Sequence, residues 1–495
     1  MSFVFPEARS LTPFKNTIVL VAFEIIRHII LMPLIKACTE RSEVGVGQIF
    51  SVFLSSYSTY IMKNVSRRSF LKTGSLAAAA LNLMQTAVFS HEENDRIVKI
   101  GIIGIGNRGS VLLKTLLGLE GVEISSLCDL NQSKAVSAAR SCESLGRKLP
   151  SVYGKTENSY KEMLDSEKLD AVIIATPWDS HASMALHAMK NGTYPGVEVP
   201  AALTVEDLWQ LVETSEKTGI PCMMLENRSF CSNNLALLNM KRLGLFGDIV
   251  HCHCAHSHDL ADFCFFDAKN GEPNWAAEYL VKYNRDQLPT QSLGPIISWM
   301  DINRGDIFTE IYSRSSSCNA INAFFRREFG KDFPQAKLPY KQGDVVTSVL
   351  KTKMGKTLVI NSDLQLPRPY DNRWLLQGTK GIYDEGRNSV FIEGKTKEYH
   401  QWEQLKPYAD KYNHKWWQAD YSSKENEGTD FVMLSQFINA VRLKGPVPLD
   451  VYDSVVMSAV VELSGISIEK NAPVQFPDFT RGKWQTNKPC FGLDM

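Results

Sequence analysis

Several stretches of this sequence bring chemically capable side chains close together. Gly104-Ile-Gly106-Asn107-Arg108-Gly109 follows a β-branched run, Ile97 to Ile103, and precedes Ser110 to Leu119, which has helical spacing. Strand, glycine turn and helix in that order form a cradle for a pyrophosphate. Gly104 permits the tight turn, Gly106 lets the backbone approach the phosphates, and Gly109 lets the helix sit close on the strand. The helix start then aims its unpaired N–H groups at the anion. Twenty positions past Gly109, the strand Val122 to Cys128 ends at Asp129, where a carboxylate can hold ribose hydroxyls. Leu130 and Asn131 follow, with no arginine for a 2′-phosphate, so the pattern favours NAD over NADP.

Further strand ends carry the next candidates. Leu169 to Ala175 reads as a buried strand ending in Thr176-Pro177-Trp178-Asp-Ser-His181, followed by a helix from Ala182 to Lys190. Loops at the carboxyl ends of parallel strands are where ligands bind in open α/β sheets, which makes Trp178 and His181 candidate cofactor contacts. Val197-Glu198-Val199-Pro200 is another strand end, and Ile220 to Leu225 a sixth strand closing with Glu226-Asn227. The segment His251-Cys-His-Cys-Ala-His-Ser-His258 invites a zinc reading. On a strand, Cys252, Cys254, His256 and His258 share one face about 6.5–7 Å apart. A tetrahedral ion needs ligands at about 2.0–2.3 Å, so two of them could serve and four could not; no metal site is expected. The aromatic run Tyr412-Asn-His-Lys-Trp416-Trp417 suits either a sugar-stacking surface or a loop packed on the core by its own rings.

The elements that must position these residues read as two domains plus extra segments, the natural arrangement for 495 residues. Lys+Arg and Asp+Glu balance at 54 each, which counts against a nucleic-acid partner. Ten cysteines without regular spacing make no disulfide framework. Residues 97–230 alternate strand and helix as a doubly wound Rossmann α/β domain with a parallel sheet. Residues 231–420 differ: a helix at Leu235 to Leu243, a strand at Asp248 to His256, and a hairpin, Val345 to Thr352 with Thr357 to Leu364, turning at Met354-Gly355-Lys356. Shorter strands at Trp374 to Gln377, Gly381 to Asp384 and Ser389 to Ile392 complete an α+β domain with a mostly antiparallel sheet. In 421–495, helices at Asp430 to Leu443 and Val451 to Glu469 are expected to return to the first sheet.

The N-terminal part stands apart. Residues 63–72, Lys-Asn-Val-Ser-Arg67-Arg68-Ser-Phe-Leu-Lys, precede an apolar run from Leu76 to Leu83, with small residues near Ala87 to Ser90. Residues 62–90 thus resemble a twin-arginine export signal with a cleavage site. The expected location is periplasmic or otherwise exported, with no stable membrane anchor once the signal is removed. Met62 stands where a start codon belongs, so residues 1–61 read as an upstream gene-prediction extension or a disordered segment. The apolar stretch Thr17 to Ile35 is broken by Glu24, Arg27 and His28, which suits a spanning helix poorly.

Specific motifs go further: Gly-Asn-Arg-Gly (106–109), Thr-Pro-Trp-Asp (176–179), Gly-Val-Glu-Val-Pro (196–200), Leu-Glu-Asn (225–227), Gly-Leu-Phe-Gly (244–247), His-Asp-Leu (258–260), Asn-Arg-Gly (303–305) and Leu-Pro-Arg-Pro-Tyr (366–370). Over roughly residues 97 to 480 the chain resembles the Gfo/Idh/MocA oxidoreductase superfamily. More closely it is similar to glycoside hydrolase family 109, the NAD-dependent α-N-acetylgalactosaminidases. The resemblance implies a small-molecule glycoside substrate and a reaction in which NAD takes a hydride from C3 of the sugar. Elimination of the aglycone, water addition and return of the hydride then follow, with no two-carboxylate route. It leaves room for a homo-oligomer. Val199 stands where the dehydrogenases carry a lysine as acid/base, which favours the glycosidase branch.

Carried over residue by residue, the resemblance implies a cofactor set of Asn107, Arg108, Asp129, Trp178, His181, Glu198, Val199 and Asn227. The implied sugar-facing set is altered: Phe230, His256 and Leu288 replace tyrosines, Ala276 an arginine and Gln291 a histidine, and Tyr370 is retained. Gln291 cannot take a proton at neutral pH, whereas imidazole can. A lost hydrogen bond costs about 1–3 kcal/mol, and a lost base about 10²–10⁴ in rate. Tyr370, His256, His258 and Gln291 are therefore the catalytic candidates, with His256 or His258 as a displaced base. Two other readings stay open: an NAD-dependent sugar or cyclitol oxidoreductase, and an NAD-binding protein that has lost catalysis.

Overall fold

β1 (Val98–Ile103) is a central strand for a plain reason: every residue in it except Lys99 is buried. It runs through the glycine loop into α1 (Asn107–Leu117), which starts three residues before the expected helix because Gly106 already serves as its N-cap. Strand and helix then alternate: β2 (Val122–Cys128), α2 (Gln132–Ser144), β3 (Ser151–Tyr153), α3 (Ser159–Ser166), β4 (Ala171–Ile174), α4 (His181–Lys190), β5 (Tyr194–Val197), α5 (Val205–Thr218) and β6 (Met223–Met224). The sheet is ordered β3-β2-β1-β4-β5-β6 and every pairing is parallel. β4 and β5 are buried throughout, as parallel strands covered on both faces must be. The order reverses between β1 and β4, so a ligand crevice opens at their carboxyl ends.

This computed structural model describes residues 96–493 apart from 418, 420, 422, 423 and 425–427. The export signal expected at 62–90 and the segment 1–61 lie outside the described residues. Two first-sheet elements differ from expectation. β3 is three residues long, too short for any period to show. β6 is only Met223–Met224, because Pro221 inside the expected run Ile220 to Leu225 has no N–H for the ladder.

The chain continues with α6 (Ser232–Arg242), β7 (Ile249–Ser257), α7 (Thr290–Trp299), β8 (Phe308–Ser315), α8 (Ala320–Glu328), β9 (Val345–Thr352), β10 (Thr357–Asp363), β11 (Leu375–Gly378), β12 (Gly381–Asp384), β13 (Ser389–Ile392) and β14 (Glu403–Gln404). After α9 (Thr429–Arg442) and α10 (Val451–Lys470), a short β15 (Val474–Gln475) closes the second sheet. Its order is β14-β13-β12-β11-β7-β10-β9-β8-β15. β7 and β10 pair in parallel and the other described pairs are antiparallel.

The two sheets share their interior. Ile100 and Val172 of the first, Leu358 and Ile360 of the second, and Phe437 and Val456 of the late helices belong to one buried cluster. A smaller cluster gathers Trp178, Tyr279, Leu288 and Phe325. α9 touches α1 and β1, while α10 touches α5 and β6 on one side and β8, β15 and α7 on the other. α10 is long and apolar enough to cross a membrane, yet 72% of its most apolar window is buried inside the protein. A helix apolar all round is a core helix in such a setting. Its serines hold backbone from both sheets. Ser454 Oγ accepts from Met224 N at 3.0 Å, Ser458 Oγ from Ala201 N at 3.0 Å, Ser464 Oγ from Asp286 N at 2.9 Å and Ser467 Oγ from Ser313 N at 2.9 Å.

Candidate functional site

At the carboxyl edge of the first sheet the three glycines occupy different environments. Gly104 has φ +89°, and a Cβ on it would lie 2.4 Å from Ala175 O. A Cβ on Gly109 would lie 1.9 Å from Gly104 O, so the helix can approach the strand only without a side chain there. At Gly106 a Cβ would meet nothing within 4 Å. That open floor lies before the start of α1, whose first turn has no acidic residue and whose leading amides lack intrahelical partners. The Asp129 carboxylate is pinned against the same loop, accepting from Ile105 N at 2.7 Å and Asn131 N at 2.8 Å. An open floor, free amides and an oriented carboxylate fit a dinucleotide, with Gly106 and Asp129 as the residues that would hold its phosphates and ribose.

Beside the cradle, the Arg108–Asp430 pair ties four segments together. Arg108 donates to both oxygens of Asp430, at 2.6 and 2.8 Å, and to Glu198 Oε1 at 2.7 Å. Asn227 Nδ2 donates to the same Asp430 at 2.9 Å. Arg108 at the start of α1 and Asn227 past β6 are thus gathered by the first turn of α9, and Glu198 past β5 through Arg108. Burial alone would lower the Arg108 pKa, but Glu198 and Asp430 outweigh it and hold the guanidinium protonated. Asp430 was not a candidate from the sequence, where it reads only as an acidic residue in the first turn of a late helix.

Two expected cofactor contacts have other surroundings. His181 is fully buried, with its ring nitrogens 2.8 Å from Pro200 O and 2.8 Å from Thr176 O. No ring nitrogen is left for a ligand, so the expectation of a direct contact is corrected: His181 braces the loops after β4 and β5. Trp178 is buried in the smaller cluster, edge-on to Trp275 at 5.0 Å and beside Tyr279 at 5.2 Å. Val199 is buried and its N–H donates to Glu198 Oε2 at 3.2 Å.

The second sheet supplies the other half of the site. His256 near the end of β7 and His258 just past it lie on one face with ring centroids 6.1 Å apart. Tyr370 stands edge-on to both, at 5.8 Å from His256 and 5.0 Å from His258. His251 and His253 belong to the other face, hydrogen-bonded to Thr357 at 2.9 Å and Asn361 at 2.8 Å. His256 is positioned through a short relay: Ser464 accepts from Asp286 N, Asp286 Oδ1 from Leu288 N at 3.3 Å, and Leu288 O lies 3.1 Å from His256 Nδ1. A carbonyl can only accept, so Nδ1 carries the proton and Nε2 presents a lone pair. Burial above all, with His258 and Arg228 adding to it, pushes His256 down to about 3, so its ring stays neutral.

The two halves meet at Arg228. It directly follows Asn227 on the cofactor edge, and its guanidinium lies over the Tyr370 ring at 4.7 Å from the centroid. Sequence reasoning missed Arg228; its one signal was its place at a strand's carboxyl end. Gln291, the remaining catalytic candidate, is half-buried in the first turn of α7, three residues past Leu288, and makes no side-chain hydrogen bond to a described residue. Beyond Asp259, the residue after His258, opens a cleft of about 290 Å³ lined in part by Asn319, Phe324, Arg327 and Leu366.

Residues 98–225 match the oxidoreductase family with an NAD-binding Rossmann fold, and residues 230–486 match the C-terminal domain of glycosyl hydrolase 109. A glycosyl hydrolase family 109 protein of Shewanella baltica is 37% identical over 455 residues, covering 86% of this chain and 99% of its own length. The chain belongs to glycosyl hydrolase family 109. A second relative, an alpha-N-acetylgalactosaminidase of Tannerella forsythia, is 36% identical over 81% of this chain and 90% of its own. Among solved structures, levoglucosan dehydrogenase in complex with NADH and L-sorbose has a TM-score of 0.61 at 17% identity, covering 77% of this chain and all (100%) of that one. Scyllo-inositol dehydrogenase from Lactobacillus casei has a TM-score of 0.54 at 14% identity over 77% of this chain and 99% of that one. These two share the fold. The cofactor of this family 109 chain is NAD, bound by its Rossmann domain.

Several positions where this family 109 member departs from the implied sugar-facing set do not line an open site. Phe230 is fully buried, stacked on Trp416 at 5.7 Å and edge-on to Phe491 at 5.1 Å, and its carbonyl accepts from Trp417 Nε1 at 2.8 Å. The 412–417 aromatics are therefore a loop packed on the core rather than a sugar-stacking surface. Ala276 and Leu288 are buried in the smaller cluster. Among the described residues the trio Asp450, Asp453 and Cys490 has metal-compatible spacing, but Arg304 fills it, at 2.7, 2.5 and 3.1 Å respectively.

Proposed function

We propose that this protein hydrolyses the glycosidic bond of an N-acetylgalactosaminide or a related sugar, and that it works outside the cytoplasm. When bound, NAD supplies an acceptor for a sugar hydride and gives the hydride back within the same turnover. The chain's own groups bind the sugar and handle its protons. His256 Nε2 accepts a hydrogen bond from a sugar hydroxyl. His258, half-buried and beside Tyr370, is the base. Burial raises the Tyr370 pKa, with Arg228 opposing it, so the phenol keeps its proton at neutral pH and donates to a sugar oxygen. Val199 contributes no proton, in keeping with a sugar that is not released as a ketone.

The single observation that carries this reading is Arg228 over Tyr370 at 4.7 Å, which joins the cofactor edge and the histidine pair in one site. The test is incubation of purified protein with aryl α- and β-glycosides. Aglycone release without net NADH supports the glycosidase. NADH accumulation would point to a dehydrogenase, and neither signal, with NAD still co-purifying, to a silent NAD-binding protein. Export rests on Arg67-Arg68 and the apolar run that follows; recovery of the protein only from the cytoplasmic fraction would overturn it.

A further inference from the structure

We infer that the sugar pocket takes an acidic sugar, one bearing a carboxylate or a sulfate group, and that Arg228 is the residue that recognises the anion. This rests on the glycosidase reading and names the substrate class of that same site.

The first ground is unmet bonding capacity. Arg228 Nε and His256 Nε2 are both buried and neither has a hydrogen-bond partner among the described residues. They flank one ring: Arg228 lies over Tyr370 at 4.7 Å, and His256 is edge-on to it at 5.8 Å. Tyr370 Oη is a third buried atom without a partner among the described residues, and three such atoms gathered around one ring mark the place of a ligand, since most buried polar groups in proteins are hydrogen-bonded.

The second ground is charge. Arg108 and Arg304, similarly enclosed, each bind two carboxylates. Arg228 forms no ion pair with a described residue. The nearby acids are turned elsewhere. Glu226 accepts from Arg228 N at 2.7 Å and Ser229 N at 2.8 Å, and Glu385 accepts from Trp374 N at 3.0 Å. Burial pushes both carboxyls up to about 7, so at neutral pH neither offsets the guanidinium fully. His256 and His258 are pushed down, mainly by burial and in part by Arg228 itself, and bring no charge. A partly desolvated cation with only partial compensation remains, and a guanidinium fork matches a carboxylate or sulfate with two parallel hydrogen bonds.

The test uses the full-length protein carrying its cofactor and three 4-nitrophenyl glycosides: a neutral N-acetylgalactosaminide, its 6-sulfate, and a galacturonide. At least one acidic substrate is expected to exceed the neutral one about tenfold or more in kcat/KM, since a hydrogen bond to a charged group outweighs one to a hydroxyl by about that factor. Which acidic arm wins separates sulfate from carboxylate. Arg228→Gln should bring the acidic-to-neutral ratio close to one, and Arg228→Lys should restore part of it, with melting temperature and NAD affinity checked in both. Binding of the free sugars, measured by calorimetry, runs beside turnover. A neutral sugar preferred in both assays, or a ratio unmoved in Arg228→Gln, overturns the inference while neutral cleavage leaves the glycosidase reading intact. Acidic sugars bound through Arg228 with no glycoside cleaved would sink that reading instead. No binding of any sugar overturns both.

Discussion

Replacing Asp430 by alanine removes the acceptor shared by Arg108 and Asn227. Asp430 is fully buried and the Arg108 side chain is 30% exposed. Breaking a buried pair by deleting one partner costs about 3–5 kcal/mol. Arg108 keeps one bond to Glu198 and some solvent, which reduces the expectation to about 2–3 kcal/mol. For a protein of this size that is a fall of about 2–4 °C in melting temperature. Arg108 and Asn227 would also lose their common anchor, so NAD should bind at least about tenfold more weakly, a change of about 1.4 kcal/mol. Calorimetric melting and NAD titration of Asp430→Ala, Arg108→Ala and the double variant measure both effects. A coupling of about 1.5 kcal/mol or more is expected between residues in one charged network. Additive single effects together with unchanged NAD affinity would refute the idea that this carboxylate organises the cofactor edge.

Gly106→Ala and Gly109→Ala should part company. The first meets nothing among the described residues and should melt like the parent, yet bind NAD at least about tenfold more weakly by intruding on the phosphates; equal loss of folded protein in both would contradict this. The second sets a Cβ 1.9 Å from Gly104 O and should yield little folded protein. Asp129→Ala should weaken NAD by about 1–3 kcal/mol while relaxing discrimination against NADP, as read by titration with both dinucleotides. His256, held down at about 3 in the folded protein, lets only the unfolded chain take up a proton as pH falls below about 6.5. Stability therefore declines from about pH 6.5 toward pH 3, by at most about 1.4 kcal/mol per unit from this residue. Glu226 and Asp286, raised to about 7, act in the opposite sense but equally in parent and variant. Denaturant melts of His256→Asn should show a flatter acid limb than the parent; superimposable limbs would count against the assignment.

The sequence made the first sheet legible because strands buried on both faces read as unbroken apolar runs, and the glycine loop sits between two such signals. It concealed β3 and most of β6, where three residues or a proline leave no period to detect. At the site, local motifs brought forward Gly104, Gly106, Asp129, Glu198 and Asn227, each at the end of a strand in the first sheet. His181 was misread because its position at a strand end looks the same whether the ring faces a ligand or two backbone carbonyls. Asp430 lies 322 residues from the Arg108 it binds, and no spacing rule reaches that far. Arg228 matters through a ring brought from the second sheet, a contact only the folded chain creates.

α10 deserves its place at the centre of the molecule for what it forbids. Met224 and Ala201 on the nucleotide side hang from the same helix as Asp286 and Ser313 on the sugar side. A jaw-like opening of the two lobes would have to tear several of these amide bonds loose together. Traffic into the catalytic space is thereby left to the surrounding loops. A redox partner held behind such a spine has little occasion to swap with the surroundings, which suits a catalyst whose carrier finishes every cycle as it began.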